Sequence, residues 1–283
     1  MSKILAQVET VKALRQRVAR WRREKLKVAL VPTMGALHEG HLTLVDHANR
    51  LADRTVVSIF INPAQFAAGE DLTTYPRDLE GDLKQLTGRK ANLAFVPLGE
   101  EMYPKDFATS VSVKGPATEG LEDKYRPHFF TGVATVVAKL LIQAQADFAV
   151  FGEKDYQQLN TVTRLAADLD IATEIVGAET IRHDDGLAMS SRNQYLSDYQ
   201  RVVAPLLYKT LQETAEELKT SGDLEGCMRR ARRALNKASF KVDYIEARNA
   251  ESLKKLMGTS DEQIRLLAAA YLGKTRLIDN IAV

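Results

Sequence analysis

The chain reads as an α/β protein: a Rossmann-like parallel sheet with helices on both faces, followed by a smaller C-terminal α+β unit. Three observations lead there. Short β-branched runs alternate with helical patterns through the first two-thirds of the chain, the signature of βαβ units. Runs such as 56–61 are continuously apolar, as strands covered on both faces must be. After about residue 180 the order changes to helices followed by three strand-like runs.

The elements follow in order. Val8, Val11, Leu14 and Val18 recur at helical spacing, while Glu9 and Glu24 interrupt the basic run over 12–27, so an amphipathic helix opens the chain. A strand at 27–32 hands over to a helix at 41–52, and a second strand at 55–62 leads through a polar loop to a helix at 78–86. A strand at 91–97, a helix at 131–145, a strand at 148–152, a helix at 155–168 and a strand at 173–176 complete a first domain placed at 1–180. The second domain, 181–283, carries helical patterns at 196–218 and 224–238 with Gly222 as the break between them. Strands at 242–247, 264–272 and 275–281 close it. No internal repeat or low-complexity segment is present.

Composition bounds the function. The 283 residues suffice to bury about 75% of the unfolded surface, so no disulfide or metal staple is needed. Lys and Arg number 39 against 37 Asp and Glu, and this near-balance argues against a dedicated nucleic-acid binder. A lone cysteine, Cys227, can form neither an intramolecular disulfide nor a Cys-rich zinc site, which suits a reducing compartment. The most apolar stretch, 132–151, is broken by Lys139, Gln143, Gln145 and Asp147 and is not expected to cross a bilayer. With no apolar segment after a basic start, the expected location is the cytoplasm.

The stretch from Val31 to His41, VPTMGALHEGH, carries the chemistry. It lies where the first strand passes to the first helix of the sheet, at the carboxyl end where ligands bind in open α/β sheets. Gly35 and Gly40 permit close backbone approach. The helix N-terminus offers free N–H groups to phosphate oxygens. His38 and His41 add two cationic or hydrogen-bonding groups, and a plain turn bearing two of only five histidines is the weaker reading. Other phosphate motifs fail. There is no Gly-x-Gly-x-x-Gly; Gly273-Lys274-Thr275 lacks the earlier glycine of a P-loop, Ala268 standing there; and His38 and His41 are three apart, not four as in zinc proteases.

The His-x-Gly-His signature resembles the nucleotidyltransferase superfamily that includes class I aminoacyl-tRNA synthetases. Further motifs narrow it. Pro32–Gly35 with His38–His41, Asn62-Pro-x-Gln65-Phe66, Tyr75-Pro-Arg77, Phe151–Asp155 with Gln158, and Met189–Asn193 together resemble the pantothenate synthetase family, in its order and spacing over essentially the whole chain.

That resemblance implies an enzyme in which ATP activates pantoate as a pantoyl adenylate, releasing pyrophosphate, and β-alanine then displaces AMP. It implies ATP contacts from Met34, Gly35, Ala36, Leu37, His38, Glu39, Gly40 and His41, from Gly152, Glu153, Lys154 and Asp155, and from Met189, Ser190, Ser191 and Arg192. Ile181 would meet the adenine through its backbone. His41, His38, Lys154 and Arg192 form the catalytic set, donors suited to offset charge as a carboxylate attacks the α-phosphorus. Gln65 and Gln158 match the amides that bind pantoate, whose hydroxyls can be read by a neutral group that both donates and accepts. Gln65 and Asn62 are assigned to β-alanine, Asn62 alternatively to positioning Gln65. Magnesium is expected with the ATP phosphates; no dense carboxylate cluster marks its site, and Asp82 alone is put forward, with Gln85 as a polar neighbour. A homodimer is implied, with no nucleic-acid and no membrane partner.

One departure stands out. The family's Arg-Pro-Gly-His-Phe reads Arg126-Pro-His-Phe-Phe130 here, so Phe129 occupies the histidine position and His128 the glycine position. Both are left outside the catalytic set. Arg229, Arg230, Arg232, Arg233, Lys237 and Lys241 could make an RNA-facing surface, but no aromatic residues interleave them and a solvated helix face is the better reading. Two other functional readings compete: a transferase that stops at nucleotide transfer, which leaves Gln65, Gln158 and 189–193 without a purpose, and a nucleotide sensor.

Overall fold

A computed structural model of the chain describes residues 5–67, 69–256 and 263–283. The first domain runs β1 (Gln7–Val8), α1 (Val11–Arg23), β2 (Val28–Thr33), α2 (Glu39–Leu51), β3 (Arg54–Ile59), α3 (Leu79–Gly88) and β4 (Leu93–Phe95). Two short helices, α4 (Gly99–Met102) and α5 (Glu122–Tyr125), precede α6 (Phe129–Ala144), β5 (Phe148–Gly152), α7 (Tyr156–Asp168) and β6 (Glu174–Ala178). The strands form one parallel sheet in the order β1-β4-β3-β2-β5-β6.

The continuous apolar strands are buried on both sides, as their sequences require. In β2, Val28 and Leu30 pack with Leu14 and Trp21 of α1 and with α6, whereas Ala29 and Val31 pack with Leu42, Val45 and Ala48 of α2. Helix α1 starts where the Thr10 side chain accepts the Ala13 N–H, and Arg20, Arg22 and Arg23 face the negative end of its dipole.

The last part of the chain forms α8 (Asp198–Val203), α9 (Leu206–Ser221), α10 (Leu224–Lys237), β7 (Phe240–Asn249), β8 (Ile264–Leu272) and β9 (Thr275–Ala282). These three strands make a separate antiparallel sheet in the order β7-β8-β9. Leu207, Leu211 and Leu218 of α9 and Cys227 and Leu235 of α10 cover one face of it. From the other face, Tyr244, Leu267 and Ala269 pack against Leu121 of the first domain. The interface is also polar. Arg276 makes a two-point ion pair with Glu122 at 2.7 and 2.9 Å, Tyr244 donates its hydroxyl to Glu122, and Arg265 pairs with Glu153 at 3.0 Å.

Three details depart from the sequence reading. Strand β1 was not anticipated, because two residues are too short to show a period. The 55–62 strand ends at Ile59, since Asn62 caps a 3-10 turn, Pro63–Gln65. The helical pattern at 196–218 is two helices, α9 beginning after Pro205, which has no N–H to continue the α8 ladder. In the basic stretch of α10, Arg230 pairs with Glu217 and Asp223, and Arg232 donates to the carbonyls of Val242 and Asp243. Two of the basic residues of α10 are thus engaged within the domain.

Candidate active site

Strand β2 lies between β3 and β5, so the chain runs away from it in both directions across the sheet. That switch point opens a crevice beyond the carboxyl ends of β2 and β5. A cavity of about 820 Å³ occupies it, walled by both domains. Met34, His38, Gly40, His41, Asn62, Gln65, Gly152, Lys154, Asp155, Gln158, Ile181 and Met189–Arg192 all line it. The sequence-derived candidates thus converge, although they come from five separate segments.

The turn after β2 is held from below. Gly35 and Ala36 both have positive φ, +82° and 51°, conformations that favour glycine at the first position. A Cβ on Gly35 would sit 3.1 Å from an Asp82 carboxylate oxygen. That carboxylate accepts the N–H groups of Ala36 at 2.9 Å and Leu37 at 2.7 Å. Each Asp82 oxygen thus accepts one backbone N–H, and Asp82 is 2% exposed. These contacts make Asp82 the fastener of the turn, beside the magnesium role expected of it. Asp82 and Gln85 face a smaller cavity of about 330 Å³, bordered by Ala36, Leu37, Ser190 and Ser191. Among the described residues, no three His, Cys, Asp or Glu gather in a way that could hold a metal ion.

His38 is the N-cap of α2, and its ring lies 4.1 Å from that of His41, tilted by 36°. Burial, then Lys154 and His183, push the His38 imidazole down to about 4, with Asp155 opposing. Burial, then His38 and Lys154, push His41 down to about 3. Both rings are neutral at pH 7. Of the two characters the sequence left open, cationic or hydrogen-bonding, desolvation beside an existing positive charge favours the neutral hydrogen-bonding one. Neither Nδ1 atom has a hydrogen-bond partner, though both are buried.

Lys154 sits in the 3-10 turn Glu153–Asp155 after β5. Asn280 of β9 donates to the carbonyls of Glu153 and Lys154, both at 2.9 Å, so the C-terminal sheet sets this turn. Glu153 itself points at Arg265, and Glu39 at Arg89. These two carboxylates are thus engaged in ion pairs, and the ATP contacts expected at Glu39 and Glu153 fall to their backbone.

Arg192 is not a free cation: Asp71 takes its guanidinium at 3.0 and 2.9 Å. Beside that pair, Tyr75 and Ser191 share a hydroxyl hydrogen bond at 3.1 Å. Ser190 caps its own turn by accepting the Arg192 N–H, and the Ile181 carbonyl accepts the N–H of Met189. Among the described residues the Gln158 side chain makes no hydrogen bond, in contrast to its neighbour Gln157, whose side chain meets Glu122, Pro116 and Asp123. Gln158 lines the cavity.

Gln65 donates to the Met34 sulfur at 2.8 Å and accepts from Asn62 at 3.1 Å. Asn62 is 1% exposed and fully engaged, which favours its positioning role. Phe129 is buried, with the Arg126 guanidinium 3.9 Å above its ring, and Arg126 is clamped by Glu70. His128 borders α6 and leaves its Nε2 without a partner.

A family model described as pantoate–beta-alanine ligase matches residues 6–282. The chain belongs to the pantoate–β-alanine ligase family. A pantothenate synthetase of Rhodopseudomonas palustris is 53% identical over 274 residues, covering 97% of each chain. One of Nitrobacter winogradskyi is 52% identical and covers 98% of each. Among solved structures, the Thermus thermophilus pantothenate synthetase superposes with a TM-score of 0.92 at 44% identity, covering 98% of this chain and 99% of that one. The Francisella tularensis pantoate–β-alanine ligase, in complex with beta-gamma ATP and β-alanine, gives 0.80 at 32% identity, covering 98% and 97%.

Asp71, Tyr103 and Asn280 were missed in the ligase sequence. Each acts on a site residue far away in the chain, and no local pattern marks such a pairing.

Proposed function

We propose that the cavity performs the ligation in two steps, with the histidines, Lys154 and the substrate amides on 1–180 and the 181–283 domain closing it and adding Arg192. The carboxylate of pantoate attacks the α-phosphorus of ATP, and pyrophosphate leaves. The amine of β-alanine then attacks the acyl carbon of pantoyl adenylate, and AMP leaves. The observation that carries this reading is the meeting of the His38–His41 turn, Lys154 and two amides, Gln65 and Gln158, in one cavity.

Each residue has a part the chemistry requires. The backbone from Met34 to His41 and the α2 N-terminus receive phosphate oxygens. Lys154 supplies positive charge at the α-phosphate, and the neutral His38 and His41 donate hydrogen bonds to the charge that develops there. Gly152, Asp155, Ile181 and Met189–Ser191 surround the nucleotide, and Arg192 acts from its ion pair with Asp71. Gln158 and Gln65 bind pantoate, and Gln65 with Asn62 borders the β-alanine position. Magnesium would come with the ATP phosphates and supply positive charge there; Asp82, the carboxylate put forward for it, also fastens the turn through the Ala36 and Leu37 N–H groups. A cytoplasmic homodimer completes the proposal, on the resemblance alone.

The test is isotope exchange. Enzyme with ATP and pantoate should pass labelled pyrophosphate into ATP with β-alanine absent. An absolute need for β-alanine would overturn the two-step reading.

A further inference from the structure

Gln65 is held by a chain of hydrogen bonds that ends outside the cavity. The Tyr103 hydroxyl donates to Asn62 Oδ1 at 2.7 Å, and the Ala64 N–H also reaches that oxygen at 3.3 Å. Asn62 Nδ2 donates both to the Gly132 carbonyl and to Gln65 Oε1, each at 3.1 Å. An amide can be built either way round, but here both ends of Asn62 are pinned. Its oxygen must face a backbone N–H and a hydroxyl, and its nitrogen must face a backbone carbonyl. Gln65 can then present only its oxygen to Asn62, which leaves its NH₂ toward the cavity. There, among the described residues, the NH₂ meets only the Met34 thioether, a weak acceptor that an oxygen would displace.

We infer that Tyr103 is a positioning residue for the acid substrate: acting through Asn62, it orients the Gln65 amide so that Gln65 donates to an oxygen of pantoate. The inference rests on the assignment of Gln65 to pantoate above. Tyr103 is well placed for this. It caps the C-terminus of α4, and its ring packs edge-on against Phe107 at 5.1 Å, behind the cavity. Burial pushes its phenol up to about 12, so it remains a donor throughout the working pH range. Close packing fixes the other end of the chain of bonds. A Cβ on Gly132 would lie 2.2 Å from the Ala64 carbonyl oxygen, so α6 lies directly against the turn that carries Gln65.

The experiment measures pantoate and ATP KM for the full chain and for the variants Tyr103→Phe, Gln65→Ala and the double variant. Removing one buried hydrogen bond that orders the recognising amide should raise the pantoate KM about tenfold, with the ATP KM unchanged. In the Gln65→Ala background the same hydroxyl deletion should add almost nothing, because the group it orients is gone. An equal effect of Tyr103→Phe in both backgrounds, or an equal rise in the ATP KM, would mark a merely structural role and overturn the inference. A normal pantoate KM in Tyr103→Phe beside an impaired Gln65→Ala would also overturn it. A normal pantoate KM in Gln65→Ala would instead overturn the assignment of Gln65 itself, and the inference with it.

Discussion

Asp71 and Arg192, 121 residues apart, form a two-point ion pair with distances of 3.0 and 2.9 Å. The pair ties the loop after β3 to the segment after β6 across the mouth of the cavity. Tyr195 reinforces it by donating to the Thr74 carbonyl. Without Asp71, the guanidinium would keep its charge but lose its orientation. Asp71→Asn should therefore raise the ATP KM by about fivefold, the worth of roughly 1 kcal/mol of positioning. The side chains are 32% and 21% exposed, so thermal unfolding should move little. Steady-state kinetics beside calorimetry checks both parts.

The paired histidines make stability depend on acid. Their folded-state values, about 4 for His38 and about 3 for His41, lie below the ordinary 6.5. Between pH 6.5 and those values the unfolded chain binds more protons than the folded one, so stability is full above 6.5 and falls as the pH drops. Each ring should remove about 2 kcal/mol between pH 7 and pH 5. Urea titrations at the two pH values should show that His41→Gln loses correspondingly less than wild type.

Lys154 is the cation closest to the paired rings in electrostatic effect, lowering both. Lys154→Ala should depress pyrophosphate exchange by about a hundredfold or more, as removal of a preorganised donor does. Exchange at the wild-type rate would remove Lys154 from the adenylation step.

Gln158 lines the cavity with a side chain that has no hydrogen-bond partner among the described residues. Gln158→Ala should weaken pantoate binding by roughly five- to 150-fold, the range for one buried hydrogen bond, and leave ATP binding intact. A pantoate analogue lacking the partner hydroxyl should bind both proteins alike. Calorimetric titration of the four combinations decides it.

The ion pair between Glu122 and Arg276 lies between the domains, with side chains 9% and 14% exposed. Arg276 also pairs with Asp243 at 2.8 Å. Arg276→Met would leave two carboxylates uncompensated, and chemical denaturation should show a loss of about 3–5 kcal/mol. Adding Glu122→Gln should restore part of it. A single Arg276→Met variant as stable as wild type would show the pair to be unimportant.

Much of this protein is present in local pattern. The β2 sequence, apolar at every position from Val28 to Val31, can be satisfied only between two helical layers. The glycines and histidines of residues 31–41 mark the ligand end of that strand because turn chemistry acts over a few residues. Gln65, Lys154 and Gln158 could be singled out by their places within short motifs, and all three line one cavity.

Other features exist only once the chain is folded. That His38 and His41 are neutral follows from burial beside Lys154, and burial belongs to the packed molecule. That Asp82 fastens a turn, Glu153 holds Arg265 and Asp71 holds Arg192 are choices among many carboxylates of equal local character. The main strands and helices and the 31–41 turn were legible in the chain because hydrophobic period and turn chemistry are local, and the other site residues through their places in motifs resembling the family's. Tertiary structure alone decided charge states and partners, because desolvation and hydrogen bonding depend on which distant groups come within about 3 Å.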